Sequence, residues 1–371
     1  MAPRLCLNMI VKDEAHIILE CLESMVKHIC YWIISDTGST DGTQDLIKKF
    51  FEEKGILGEL HEDKWVDFAT NRNIALKYGY QRKEFDYLWV MDADDYLEGT
   101  PDFPKVMDAD LYKCRLRDVT DFDSFRPLIF SNKCADIKYK GIIHEAIYLN
   151  DPAIIENILG EYRIKIRTIG NRSKDPEKYL KDAQMCVIGI KLKDELQERY
   201  TFYAAQGYLN GGNYPMAIKY YKKVRKLNQE RGHVYDSYLN EFFCWSQLKK
   251  EHEYDEKMID LLQKAAEWIP ERRDAKFLLA RFLNQLNRFE EALKEITECM
   301  QLKFPVDDSY ISNPKIYGNF CVELIAEILC NLKQFDRSIF YLNLINDQTV
   351  NTQFIRDNIA NIEAEKLKKS F

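Results

Sequence analysis

Residues 87–95 read YLWVMDADD, an apolar run that ends in three carboxylates within four positions. The apolar part is short, aromatic and uncharged, which is typical of a buried strand. Asp92, Asp94 and Asp95 follow it directly, where an α/β protein places its ligands. Carboxylates this close repel one another, so they favour solvent or a bound cation. The sequence therefore predicts a divalent cation that holds a diphosphate at the end of this strand.

Upstream of these acids, strand patterns and helix patterns alternate. The predicted strands are 5–11, 31–34, 57–61 and 87–91, and the predicted helices are 15–25, 43–53 and 69–80. Such alternation is typical of a parallel, doubly wound sheet with helices on both faces. A ligand is therefore expected at the carboxyl ends of these strands.

After Asp95 the pattern changes twice. Strand patterns at 111–116, 127–131, 142–149 and 162–169 lack long helices between them, which predicts an antiparallel extension of the sheet. From Asp175 onward the chain follows a helical period. The sequence therefore predicts two domains, with a mixed-sheet domain over 1–171 and an all-α domain over 172–371.

The helical half contains four similar segments at predicted helix starts. An aromatic residue precedes a mostly small residue by three positions in Tyr214–Ala217, Tyr254–Lys257, Phe289–Ala292 and Phe335–Ser338. Their spacing is close to, or longer than, the roughly 34-residue period of tetratricopeptide repeats. Helical repeats are the prediction, and a plain helical bundle is the alternative.

Composition limits the class of protein. The 371 residues carry 53 Lys and Arg against 60 Asp and Glu, and the net charge of −7 argues against a nucleic-acid partner. The ten cysteines are scattered without a C-x-x-C pair, as in reduced intracellular proteins. The sequence shows no transmembrane run of roughly 20 apolar residues and no signal-peptide pattern. A cytoplasmic location is therefore expected.

Two short motifs suggest other enzymes but lack a required partner. Residues 36–39 (DTGS) resemble the catalytic segment of aspartic proteases, which need two such acids sharing a proton. The chain has one D-T-G and no second D-[ST]-G. His144 and Glu145 begin like the zinc motif H-E-x-x-H, but Tyr148 stands at the second histidine position. Both classes are therefore disfavoured.

Five motifs follow one another in order along the chain. They are 9–14 (MIVKDE), 36–43 (DTGSTDGT), 67–73 (DFATNRN), 92–95 (DADD) and 141–145 (GIIHE), and 171–180 (NRSKDPEKYL) continues the series into the helical half. Together they resemble the GT-A glycosyltransferases of the family 2 type, especially members with helical repeats after the catalytic domain. The resemblance implies an α/β, Rossmann-like mixed-sheet domain followed by an all-α helical-repeat domain.

The resemblance also implies which residues hold the nucleotide. Family members bind the base and ribose with the end of the first strand and the loop after the second strand. Carboxylates suit ribose hydroxyls and the uracil N–H, and glycine allows the backbone to approach the ligand closely. The residues implicated in this chain are Val11, Lys12, Glu14, Asp36 and Gly38.

A second set would hold the diphosphate and the cation. Arg72 takes the place of a basic residue that faces the diphosphate, with a solvated helix arginine as the alternative. Asp92, with Ala93 beside it, would contact ribose or metal. Asp94 would bind Mn²⁺ or Mg²⁺, which neutralises the leaving diphosphate. Asp95 would support these ligands or cap a helix.

The acceptor side of the reaction rests on two neighbouring residues. Inversion requires a base that takes a proton from the acceptor, and Glu145 is the candidate. His144 would contact the metal or the diphosphate. Reversed roles and a structural salt bridge of Glu145 are the alternatives, and Asp118, Asp121 and Asp123 are reserve candidates for the base.

One position departs from the family pattern. Related sequences often carry a histidine just before the segment that corresponds to 171–180, whereas this chain reads IRTIG at 166–170. Arg167 is therefore a candidate for a phosphate contact, and the metal would depend more on Asp94 and His144.

The leading hypothesis is a metal-dependent, inverting transferase that moves a hexose or N-acetylhexosamine from a nucleotide sugar, expected to be a UDP-sugar. Stacked helix pairs suit a protein or peptide acceptor, and a homodimer through the same helices explains them equally well. The alternative is a helical-repeat scaffold or peptide-binding protein with a degenerate transferase domain. A nucleotidylyltransferase is disfavoured, because Met9–Glu14 contains no glycine for a phosphate loop.

Overall fold

The protein is described by a computed structural model that covers residues 3–117, 123–134, 136–149, 153–193, 195–227, 230–248, 253–304, 314–345 and 358–364. The chain divides into two compact units, Met1–Gly211 and Gly212–Phe371. The expected boundary at residue 171 lies inside the first unit, and a domain division there stays a prediction.

The first unit is built on a mixed sheet. Among the described residues the sheet has nine strands in the order β3-β2-β1-β4-β7-β6-β11-β5, with β10 beside β6. A separate pair, β8 and β9, forms a two-stranded sheet. The strands are β1 (Leu5–Val11), β2 (Tyr31–Asp36), β3 (Gly58–Glu62), β4 (Tyr87–Val90), β5 (Tyr96–Asp102), β6 (Leu111–Arg117), β7 (Asp123–Ser131), β8 (Lys138–Lys140), β9 (Ala146–Tyr148), β10 (Ile155–Asn157) and β11 (Leu159–Lys165).

The parallel half of the sheet confirms the predicted doubly wound arrangement. Strands β1 to β4 alternate with α1 (Ile18–Met25), α2 (Thr43–Lys54) and α3 (Phe68–Tyr80). Because side chains alternate along a strand, β1 serves two cores. Leu5, Leu7 and Met9 pack with residues of α1 and α2. On the other face, Cys6 packs with Leu76 of α3.

Strand register brings the predicted ligand loops together. Parallel pairing places Val11 of β1 beside Asp36 of β2, and Asn8 beside Val90 of β4. The three strands therefore end at one edge of the sheet. The loop after Asp36 and the acid loop, residues 92–95, both begin there.

The extension differs from its prediction in two ways. Strand β7 runs antiparallel to β4 and β6, but β6 pairs in parallel with β11, and β5 was not predicted. The predicted strand 142–149 is wrong, because only Ala146–Tyr148 is a strand and it pairs with β8 instead of the main sheet. Positive φ angles at Gly141 (111°) and His144 (51°) are incompatible with an extended strand and give an irregular segment.

Two helices complete the first unit. They are α4 (Lys178–Lys191) and α5 (Gln197–Asn210), preceded by a 3₁₀ helix at Asn171–Lys174. Gly207 lets α5 approach α4, since a Cβ there would lie 2.8 Å from the carbonyl oxygen of Tyr179. The Tyr200 hydroxyl of α5 accepts a hydrogen bond of 2.9 Å from the backbone N–H of Ile142. These helices therefore support the irregular segment 141–145.

The second unit is helical throughout its described residues. Its helices are α6 (Tyr214–Leu227), α7 (Arg231–Leu248), α8 (Asp255–Trp268), α9 (Arg273–Gln285), α10 (Phe289–Gln301), α11 (Asn319–Asn331) and α12 (Phe335–Asn343), with a 3₁₀ helix at Pro314–Tyr317. Each packs against the next along the chain. The small residues Ala217, Ala292 and Ser338 of the predicted repeats are fully buried near helix starts. This arrangement confirms a helical-repeat region.

Two further observations concern the whole chain. All ten cysteines are free thiols, and seven of them are buried, so they act as core residues. Among the described helices, none is long and apolar enough to cross a bilayer.

Candidate functional site

A pocket of about 640 Å³ opens at the carboxyl ends of the parallel strands. The sheet contributes the ends of β1 and β2 and the whole acid loop, and the helical side contributes α4 and the segment before it. Most of the predicted donor-site residues line this pocket, whereas Asp36, which is 1% exposed, and Gly38 flank the lining residue Thr37 without lining the pocket themselves. Its predicted members are Val11, Lys12, Glu14, Arg72, Asp92, Ala93, Asp94 and Asp95.

The acid loop is held by its backbone. Helix α1 provides two contacts, because the Cys21 thiol donates to the carbonyl of Asp92 at 3.4 Å and the Ser24 hydroxyl accepts from the N–H of Leu97 at 3.1 Å. Arg167 Nε donates to the carbonyl of Asp94 at 2.8 Å. The loop backbone is therefore held independently of its carboxylates, which make contacts of their own.

The three carboxylates differ in their surroundings. The Asp92 side chain is 51% exposed, and one of its oxygens accepts a hydrogen bond from Arg72. Asp94 Oδ2 accepts from the backbone N–H of Gly170 at 3.1 Å. Asp95 is only 7% exposed. Burial, with the charges of Asp92 and Asp94, raises the pKa of Asp95 well above its ordinary value. A cation among these groups would relieve that repulsion.

The donor set fits a hard cation that shares its ligands with a diphosphate. In the described part of the chain, no group of three or more His, Cys, Asp or Glu side chains is placed to hold a metal by itself. Mg²⁺ and similar ions are commonly bound by one or two carboxylates together with substrate phosphates. Asp92 and Asp94, which both line the pocket, suit such a site.

Arg72 links the acid loop to the segment 141–145. Helix α3 presents it, and the Asp67 side chain caps that helix by accepting from the N–H of Thr70 at 2.7 Å. Arg72 donates to Asp92 and to Glu145, both at 2.7 Å. Burial opposes its charge, but the two carboxylates outweigh burial and raise the pKa of Arg72. It is therefore a fixed cation at the pocket wall, and its phosphate contact stays a prediction.

Asp36 has one oxygen engaged and one oxygen free. Its Oδ1 accepts hydrogen bonds from the N–H groups of Gly38 and Ser39 and from the Gln44 amide, at 2.8 to 3.0 Å. Gly38 has a φ of 103°, which lets the loop turn around this carboxylate. Within the described residues, the buried Oδ2 of Asp36 has no hydrogen-bond partner. A buried, unpartnered carboxylate oxygen is a ready acceptor for a ligand N–H or hydroxyl.

Glu14 lies against the segment that precedes the helical pair. Both of its carboxylate oxygens are 3.2 Å from the backbone nitrogen of Asn171. The pKa of Glu14 is raised overall. Burial is the main cause, and the charge of Asp94 adds to it, while the hydrogen bond from the Asn171 N–H acts in the opposite direction. Glu14 and Asp94 are thus held by neighbouring backbone groups, those of Asn171 and Gly170.

The structure does not bring His144 and Glu145 into the lining of this pocket, as far as the described residues define it. The His144 ring stacks on Tyr203 of α5, with centroids 4.0 Å apart, and its carbonyl accepts from Arg199 at 2.7 Å. Burial, with Arg199 and other nearby cations, lowers the pKa of His144 to about 4. Glu145, 15% exposed, forms the salt bridge with Arg72. Their predicted roles stay predictions, and Glu145 makes the salt bridge that was its structural alternative.

The reserve candidates for the base are not described. Asp118 and Asp121 lie outside the described residues, as does the side chain of Asp123.

Sequence reasoning missed the contribution of the helical pair. Arg172 lies over the Phe68 ring, 4.9 Å from its centroid, and also pairs with the buried Asp182. Lys178 and Lys181 of α4 line the same pocket. The motif 171–180 is recognisable in the sequence, but the sequence predicts no role for its residues. Helical periodicity alone does not show which helix covers a distant sheet edge.

Comparison with known proteins identifies a family for part of the first unit. Residues 6–109 match the family described as glycosyl transferase family 2. A comparison with curated proteins found no significant match.

Several solved structures resemble part of the chain at low scores. MamA is 14% identical with a TM-score of 0.37, over 55% of this chain and 99% of that one. YrrB, described as a TPR protein with an unusual peptide-binding site, is 13% identical with a TM-score of 0.37, over 49% and 83%. A thermophilic TPR protein of Thermus thermophilus is 14% identical with a TM-score of 0.34, over 50% and 91%.

The motifs, the strand order and the family match concern the same residues. They include the end of β1, the loop after β2, helix α3 and the acid loop, all of which fall within 6–109. Residues 6–109 therefore match glycosyl transferase family 2, within a mixed-sheet unit that is followed by a region of helical repeats.

Proposed function

We propose that this domain is a metal-dependent, inverting glycosyltransferase that transfers a hexose or N-acetylhexosamine from a UDP-sugar. The observation that carries the proposal is the convergence of Glu14, Arg72, Asp92 and Asp94 in one pocket of about 640 Å³. A pocket of this size accommodates a nucleotide sugar, since ligand sites are typically about 300–1,000 Å³. Acids and a fixed guanidinium are the groups that such a ligand requires.

Each part of the donor would have its own partner. The free Oδ2 of Asp36 would accept the uracil N–H, and Glu14 would bind ribose hydroxyls. Arg72 would contact the diphosphate, while Asp94 and Asp92 would hold Mn²⁺ or Mg²⁺. When bound, that cation supplies charge neutralisation to the leaving diphosphate. The chain's own contribution is to hold these groups in place before the donor arrives.

Inversion requires a base that takes a proton from the acceptor. We propose Glu145 for that role, because its carboxylate and that of Asp92 accept hydrogen bonds from the same Arg72 guanidinium. To act as base, the carboxylate would have to exchange its salt bridge for the acceptor nucleophile. Its variant Glu145→Gln keeps a hydrogen-bond acceptor for Arg72 but removes the basic group, so it separates the two roles.

A protein or peptide is the acceptor we propose, on the grounds that stacked helix pairs form extended grooves. A homodimer through the helical unit would use the same surfaces. The free thiols in the core support the proposed cytosolic location, since a reducing compartment keeps such thiols unpaired.

A thermal-shift panel tests the donor site. UDP, GDP and dTDP are added with and without Mn²⁺, and we expect UDP with Mn²⁺ to raise Tm most. At about 100 times Kd a ligand adds roughly 2.7 kcal/mol, which corresponds to a few degrees. Asp94→Ala is the matched variant, in which the Mn²⁺-dependent part of the shift should disappear. If no nucleotide shifts Tm, the transferase proposal fails and the scaffold alternative takes its place.

A further inference from the structure

We infer that Arg167 is the positioning residue of the acid loop, so that donor binding depends on a side chain behind the pocket. The inference rests on the proposed function, because it assigns Arg167 to the cation and diphosphate end of the donor site. It differs from the phosphate contact that the sequence suggested for this arginine.

Arg167 is not among the residues that line the donor pocket, although Ile166, Thr168 and Gly170 of the same segment are. Its guanidinium is engaged by the carbonyl of Asp94 and by Glu20. Arg167 therefore acts through the acid loop and not as a phosphate ligand.

The guanidinium holds three elements together. Its Nε donates to the carbonyl of Asp94 at 2.8 Å, and its Nη1 pairs with Glu20 of α1. The group also lies over the Tyr96 ring, 5.7 Å from the centroid. Arg167, which follows β11 in the sequence, therefore links the acid loop to α1.

The loop needs such an anchor at Asp94. Cys21 holds its first residue at the carbonyl of Asp92, and Ser24 holds the start of β5, just after the loop, at the N–H of Leu97. Between them, three neighbouring carboxylates repel one another, and Asp95 is buried. Arg167 fixes the backbone of Asp94 and places a positive charge behind the acids, while the Asp94 carboxylate stays available to the pocket.

The shape of the guanidinium matters as well as its charge. Arginine presents donors in a planar fork that serves two acceptors in different directions, whereas lysine offers a single flexible ammonium. Arg167→Lys therefore keeps the charge but cannot hold both Glu20 and the Asp94 carbonyl in the same geometry. Groups that orient a ligand of a metal typically change metal affinity or activity 10-fold to 100-fold when they are replaced.

The test compares Arg167→Lys and Glu20→Gln with a matched control, Arg163→Lys. Arg163 lies four positions earlier and pairs with Glu98 at 2.5 Å, outside the lining of the donor pocket. UDP binding is measured by calorimetry at a series of Mn²⁺ concentrations, and Tm is measured without ligand. We expect the Mn²⁺ concentration for half-maximal UDP binding to rise about 10-fold in Arg167→Lys and less in Glu20→Gln. In Arg163→Lys it should stay within twofold.

The outcomes separate this inference from the proposed function. If wild-type protein does not bind UDP with Mn²⁺, the proposed function fails first. If wild-type protein binds and Arg167→Lys binds equally well, only the positioning role is overturned. A lower Tm with unchanged Mn²⁺ dependence would show that Arg167 is merely structural, and this result also overturns the inference.

Discussion

The acid loop and the segment 141–145 were both expected to supply catalytic groups, but within the described residues only the acid loop lines the pocket. Cys21 and Arg167 hold the backbone of the acid loop by donating to the carbonyls of Asp92 and Asp94. In the segment 141–145 the His144 ring stacks on Tyr203, and Glu145 pairs with Arg72. Arg72 joins the two regions, since it also donates to Asp92. A salt bridge therefore does not distinguish a ligand-binding carboxylate from a structural one here, whereas its place in the pocket does.

The largest effect is expected for Asp94→Ala. Removing the carboxylate takes away a cation ligand, so Mn²⁺-dependent transfer should fall at least about 100-fold. Tm without ligand should fall by only a few degrees, because the hydrogen bond from the Gly170 N–H is lost but Cys21 and Arg167 still hold the loop backbone. Transfer is measured as release of UDP over a series of Mn²⁺ concentrations. Full activity in this variant would refute the metal assignment.

Replacement of Glu145 should act mainly on stability. Arg72 is 12% exposed, and Glu145→Ala removes one of its two anionic partners. Loss of a hydrogen bond to a charged group costs about 2 kcal/mol, so calorimetry should show a Tm several degrees lower. Glu156→Ala, at an exposed position of the same unit, is the control. An unchanged Tm would mean that the salt bridge contributes nothing and would strengthen the role of Glu145 as base.

Asp36→Asn tests a residue whose side chain makes structural contacts and also offers an oxygen to a ligand. One oxygen of Asp36 is structural and the other is free. An asparagine amide must place its NH₂ either against the loop N–H groups or against the uracil N–H, and both arrangements are repulsive. UDP affinity should therefore fall about 10-fold, or about 1.4 kcal/mol. Equal affinity in calorimetry would remove Asp36 from the base-binding site.

The smallest effect concerns His144 and pH. Its pKa is lowered from 6.5 to about 4 in the folded protein. As pH falls below 6.5, the unfolded chain takes up a proton that the folded chain resists, so stability is lost progressively toward pH 4. Between pH 7.5 and 5, Tm of the wild type should fall a few degrees more than that of His144→Asn. Asparagine is chosen because it tolerates the positive φ at this position. Identical pH profiles would contradict burial of the neutral ring.

The sequence predicted the parallel half of the first unit well, because period and turn signals act locally there. The strand 5–11 matches Leu5–Val11, and the helix 43–53 matches Thr43–Lys54 within one residue. The prediction for 142–149 failed at Gly141 and His144, where positive φ angles interrupt an apolar run that looks extended. An alternating pattern indicates a strand, but it does not reveal such backbone turns.

The candidate site was predicted in part. The residues at strand ends were correctly grouped, because parallel strands bring their carboxyl ends to one edge. Asp95 was read as a supporting residue, and its burial beside two charged neighbours follows only from the folded loop. The phosphate contact predicted for Arg167 stays a prediction, and its hydrogen bond to the carbonyl of Asp94 follows only from the folded structure.

The position of Arg167 also limits how this chain can change length. Insertion of a residue between β11 and Arg167 would displace the guanidinium from both the carbonyl of Asp94 and the carboxylate of Glu20, so the acid loop would lose this anchor. The distance along the chain from β11 to Arg167 is therefore expected to tolerate little change in length.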